Sequence, residues 1–146
     1  MHGRMRSLWN AWLMAACALL FALAGCGDNG PPDFALSLAS GQTATATITQ
    51  GATTSIQFQV TAVHGSSGSI TLVLSGLPQD VGVAPGSATV GIGSPQTFVL
   101  TAATTAAVTS APVTLTATGV SGNPLSSSSI THTQTLTLSV VAPAAP

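Results

Sequence analysis

From residue 54 to 63 the chain reads TSIQFQVTAV. Ile56, Phe58, Val60 and Ala62 fall on one parity, and Gln57, Gln59 and Thr61 on the other. The same two-residue beat returns in SITLVLS with Ile70, Leu72 and Leu74, and in QTFVLTA with Phe98 and Leu100. PVTLTATG sets Val113, Leu115 and Ala117 against Thr114, Thr116 and Thr118. THTQTLTLSV sets Leu136, Leu138 and Val140 against Thr135, Thr137 and Ser139. A period of two, rich in Thr and Val, is the signature of half-buried strands that pack one face and wet the other. Upstream, FALSLAS and TATATIT predict a first strand in two pieces. Phe34, Phe58 and Phe98 all take the buried parity.

Turn signals separate these runs: Ser40-Gly41, Gln50-Gly51, Gly65-Ser66-Ser67-Gly68, Gly76-Leu77-Pro78, Pro85-Gly86, Gly93-Ser94-Pro95 and Gly122-Asn123-Pro124. No convincing helical period interrupts them. Expected strands cover 34–49 (split), 53–63, 69–75, 81–92, 96–102, 111–119 and 130–141. About seven strands with frequent turns predict an all-β, immunoglobulin-like antiparallel sandwich. If direction alternates, loops 63–69, 91–95 and 119–129 share the end where the chain enters. Loops 41–53, 75–80 and 103–110 then share the far end with the tail.

The N-terminus is of another kind. MHGRMRS carries Arg4 and Arg6, and residues 8–23 are almost wholly apolar apart from Asn10. A basic start, an apolar run and a small-residue end describe a helical export signal. Leu23-Ala24-Gly25-Cys26 closes it. Those four residues resemble the lipobox of bacterial lipoproteins. That resemblance implies acylation of the Cys26 thiol, cleavage after Gly25 and a mature chain that begins at Cys26. Two other readings stand beside it. An uncleaved span needs about 20 apolar residues, and the run is shorter and holds Asn10. Plain secretion with cleavage near Ala24 leaves Cys26 an unpaired thiol, because Cys17 sits inside the signal and no disulfide framework is possible. Acylation is the reading that accounts for a lone cysteine at this seam. Gly27 stands where familiar inner-membrane retention signals have Asp, which leans the expected location toward the outer membrane. The predicted organisation is 1–25 signal peptide, 26–33 lipidated Cys26 and linker, 34–141 sandwich, and 142–146 a Pro/Ala-rich tail.

Charge removes whole function classes. The sequence has two cationic side chains, both in the signal, and three acidic ones, Asp28, Asp33 and Asp80. A mature chain without Lys or Arg cannot neutralise phosphates, so nucleic acid is not an expected partner, nor is an anionic lipid surface gripped through a basic patch. Threonine and serine carry solubility instead.

Candidate chemistry is sparse. His64 sits by a Gly/Ser loop, and His132 opens the last strand. A metal centre wants three or four converging ligands, and two histidines with one domain aspartate make a poor set, so no metal and no cofactor are expected. Calcium wants several carboxylates. Glutamate is missing, which removes the usual glycosidase pair, and no G-x-S-x-G elbow occurs. The expectation is a non-enzymatic protein. Both tryptophans lie in the signal and there is no tyrosine, so a sugar-stacking platform is not offered either.

Residues 34–141 resemble the Ig-like repeats of large bacterial surface and secreted proteins, the kind common in acidobacteria-like genomes. The resemblance rests on the F-x-L opening at Phe34, the Gly before the 53–63 run, Ser75-Gly76-Leu77-Pro78, Pro85 and the closing strand. Gln79-Asp80 departs from the small residue and Gly usual there, and Ala111-Pro112-Val113 replaces a Gly-Thr-Tyr, so a tyrosine corner is absent. The family implies an Ig-like fold with a structural or adhesive role and brings no catalytic residue. The expected function is therefore a lipid-anchored envelope module that contacts another protein. A glycan- or peptidoglycan-binding module is the alternative.

Overall fold

The computed structural model describes residues 30–120 and 128–145. The chain divides into two units, Met1–Gly30 and Pro31–Pro146, and the described residues belong almost entirely to the second. The signal, Cys26 and the segment 121–127 lie outside them. The described part of the second unit is all β: β1 (Asp33–Leu38), β2 (Thr45–Thr49), β3 (Thr53–Val63), β4 (Ser69–Ser75), β5 (Val81–Ala84), β6 (Ser87–Gly91), β7 (Pro95–Ala102), β8 (Thr109–Val120) and β9 (Ser129–Val141).

These strands form two sheets, β1-β3-β7-β5 and β2-β9-β8-β4-β6. This is an immunoglobulin-like β-sandwich. Its nine strands come from the seven expected spans because two spans serve both sheets. The 34–49 stretch gives β1 to one sheet and β2 to the other. The 81–92 stretch divides at Pro85-Gly86, with β5 on β7 and β6 on β4; the Ala84–Pro85 peptide is cis. All pairings are antiparallel except β2 with β9, which run parallel. That exception follows from the split: β2 continues upward beside the last strand after the chain has changed sheets.

The alternation translates directly into packing. Ile56, Phe58 and Val60 of β3 face Leu72, Leu115 and Leu138 of the other sheet's strands within one core, each at most 2% exposed. Phe58 and Phe98 meet edge to face with centroids 6.1 Å apart at 74°. Ala62, of the same parity, is exposed near the end of β3. Gly119 is the close-approach point of the interior: a Cβ there would run into Ile70 Cδ1 and lie 3.2 Å from Phe34 Cε1. In the S-G-L-P turn, Gly76 has φ +78°, and a Cβ would meet the Pro112 carbonyl oxygen at 3.1 Å. Only glycine takes that conformation without strain.

Loop placement follows the alternation of direction. At the far end the Gly51 N–H bonds the Ala102 carbonyl, the Ala103 N–H bonds the Asp80 carbonyl, and the Gln50 N–H bonds the Val141 carbonyl. At the entry end the Ile92 N–H bonds the Gly68 carbonyl, and Asp33 is registered with Val63. One segment differs from expectation. Residues 39–44 cross between sheets at mid-height, because β1 stops at Leu38 opposite Phe58, halfway along β3, and β2 resumes at the level of Thr137.

Candidate functional site

The described titratable side chains are few, and three of the four gather at the entry end. β1 opens at Asp33, whose register partner Val63 adjoins His64 in the turn after β3. His64 takes a left-handed backbone, φ 51°. From the opposite sheet His132 reaches across the open side of the sandwich. It can do so because β2 covers β9 only from Thr137 upward. Below that level the inward positions Ile130, His132 and Gln134 are only half-buried.

His132 Nε2–H donates to Asp33 Oδ1 at 2.8 Å, and the Phe34 backbone N–H donates to the same oxygen at 2.7 Å. The imidazole also stands edge-on to the Phe34 ring, 4.8 Å between centroids at 86°. The Asp33 carboxyl is held below its usual range, first by the His132 hydrogen bond and then by the Phe34 N–H. Slight burial opposes this, and the fields of His132 and His64 add to it. Beside the pair, Pro31, Pro32, Asp33, Ser128 and Ile130 line a shallow depression.

The arrangement fastens the first strand of one sheet to the last strand of the other. Both side chains remain more than a third exposed, 36% for Asp33 and 38% for His132, so the pair has the modest strength of a surface contact. Among the described residues no three His, Cys, Asp or Glu side chains are grouped to hold a metal. Asp33, read from the sequence as linker, was the missed member. Its partner lies 99 residues away, and no local signal announces a contact made by sheet packing. Asp80 lies at the far end instead, where Thr105 Oγ1 donates to it at 3.4 Å within a turn.

No family model matches the sequence, and no curated protein matches it. Solved structures with a similar chain path include domains 4 and 5 of the S-layer protein SbsC, at 16% identity and a TM-score of 0.48, covering 76% of this chain and 54% of that one. The YadV chaperone aligns at 9% identity and a TM-score of 0.49, covering 77% and 53%. A chaperone–tip adhesin complex of CFA/I fimbriae aligns at 11% and 0.47, covering 76% and 57%. The chain thus spans little more than half the length of each.

Proposed function

We propose that this protein is a lipid-anchored Ig-like module of the bacterial cell envelope, held by acyl chains on Cys26, with a structural or protein-interaction role. The observation that carries the reading is the pairing of a lipobox-like seam with a sandwich free of lysine and arginine that begins within a few residues of it. The linker is short: at about 3.5 Å per residue, residues 27–33 reach roughly 25 Å at most. A diacylglyceryl cysteine with a further acyl chain supplies the two or more chains that lasting attachment needs. The expected location is the outer membrane, and the lipobox-like seam and the Ig-like repeat resemblance are part of the same reading. A non-enzymatic role is part of the same proposal; Asp33, Asp80, His64 and His132 are the titratable side chains of the described domain.

One observation favours glycan binding as a second reading. On the outer face of the larger sheet, Thr131, Thr118, Thr71 and Thr89 stand in one cross-strand row by register. Such rows of hydroxyls suit a neutral polyhydroxyl ligand. In-cell photo-cross-linking from that face, run beside sedimentation of the purified protein with peptidoglycan sacculi, separates the two. A discrete protein adduct without sedimentation supports the first reading. Saturable sedimentation without an adduct replaces it with the second.

A further inference from the structure

β2 and β9 are the one parallel pair among the described strands, and their direction decides how the domain meets a pull. β2 is entered at Thr45, level with Thr137, and is left at Thr49, level with Val141. The chain arrives from the entry end, where β1 begins at Asp33. β9 carries it away at the far end, where the Val141 carbonyl accepts from the Gln50 N–H. A pull on the linker therefore draws β2 toward the entry end, while a pull beyond Val141 draws β9 the other way. Neighbouring strands drawn lengthwise in opposite directions load every bond of their ladder at once. Strands drawn apart from one end load one bond at a time.

β1 is loaded in the same sense. The linker pulls it at Asp33, along its own axis, against β3. Side chains seat the strand as well. Phe34 is buried, and its ring lies over Gly119 of the opposite sheet. His132 stands edge-on to that ring and bonds Asp33. On β2 the seated side chain is Ile48, 2% exposed. To slide either strand lengthwise, a buried side chain must leave its place in the core.

The two ladders stand in series, because residues 39–44 join β1 in one sheet to β2 in the other. A load from the linker reaches β2 only after β1 has slipped on β3. The other end of the path is stronger. β9 is registered with all twelve residues of β8, against six residues in β1 and five in β2. The two short strands therefore set the limit, and β9 keeps its place.

We propose that the domain carries tension between the Cys26 anchor and its far end, with β1 on β3 and β2 on β9 as the ladders that resist it lengthwise. The inference rests on the reading of Cys26 as the membrane attachment and says what the module does there. A partner held at the far end pulls against the acyl chains, and the sandwich passes the pull on without opening. The change of sheet at 39–44 is what puts two ladders in the path. A first strand that stayed on β3 throughout would leave the whole load to one.

Single-molecule pulling on the full chain tests this. Forced opening follows the unfolding barrier along the pulled direction, so one ladder pulled two ways reads geometry and not equilibrium stability. The chain is made without export, which leaves the Cys26 thiol free as a handle, and carries Cys17→Ala. Held at Cys26 and Ala145→Cys, β1 is drawn lengthwise on β3. Held at Cys26 and Ser67→Cys, in the exposed turn after β3, the same ladder is unzipped from the entry end. At one loading rate the first rupture needs severalfold more force in the first arrangement. With Cys26→Ala added, Ala44→Cys and Ala145→Cys draw β2 lengthwise on β9, while Ala44→Cys and Thr135→Cys peel it from its Thr45 end; the same ordering is expected. Equal forces in the two directions, for either ladder, overturn the proposal. Lipid labelling of Cys26 in native membranes is read separately. A chain that resists lengthwise pulling but takes no label loses the anchor and this role with it; a labelled chain that opens equally in both directions loses the role alone.

Discussion

Removing the Phe98 ring measures how much of the sandwich depends on its central packing. Phe98 and Phe58 are both fully buried and meet edge to face at 6.1 Å. Phe98→Ala deletes a ring from an interior closed by two sheets, at a cost of about 3–5 kcal/mol. About 0.5–1.5 kcal/mol of that belongs to the ring pair itself. A domain of this size is stable by about 5–15 kcal/mol, so the loss takes between about a fifth of that margin and the whole of it. At roughly 4 °C per kcal/mol for a chain of about 100 residues, the midpoint falls by some 12–20 °C. The assay is far-UV circular dichroism against urea and temperature, since Trp9 and Trp12 lie outside the domain and tyrosine is absent. Phe58→Leu, Phe98→Leu and the double variant close a cycle whose coupling is about 1 kcal/mol. A loss under about 1 kcal/mol for Phe98→Ala, with a cooperative transition retained, refutes a close-packed two-sheet interior.

Three further outcomes follow from the shortage of charge. The depressed Asp33 carboxyl stabilises the fold above its unfolded value near 3.8, and that contribution disappears as pH falls through the lower folded value; thermal melts should weaken below about pH 4 by no more than a surface pair supplies, about 1 kcal/mol, and Asp33→Asn should flatten that limb. With no lysine, arginine or tyrosine between residues 30 and 145, melts should not change between about pH 8 and 11, and an alkaline transition in that window contradicts the account. Trypsin should release nothing from within residues 26–146 even in urea, because both arginines precede residue 26; peptides cut inside that span, read by mass spectrometry, refute it.

Strands with strict alternation were legible because each carries its own evidence: the Val113, Leu115, Ala117 series predicts its buried face from three side chains alone. Pro85-Gly86 carried a turn signal, but the change of sheet there was not legible, since 81–92 keeps a strand-like pattern while switching partners from β7 to β4. Partner choice is a property of the assembled sheets. The parity of Ile130, His132 and Gln134 could be counted, but their half-burial depends on where β2 begins. Asp33 was the costliest miss, as an aspartate after two prolines reads as linker until the opposite sheet supplies His132. Cys26 was the reverse case. Its seam is a motif of four residues that asks nothing of the fold, and it lies outside the described residues.

The account rests most directly on the chemical state of Cys26. Intact-mass measurement of the protein extracted from membranes, beside metabolic labelling with an alkyne fatty acid, reads it in one experiment. The predicted result is a chain that begins at Cys26 and carries the mass of a diacylglyceryl group with a further acyl chain, and labelling that Cys26→Ala abolishes. A chain that retains Met1, or a membrane-bound Cys26→Ala variant that never acquired label, contradicts it.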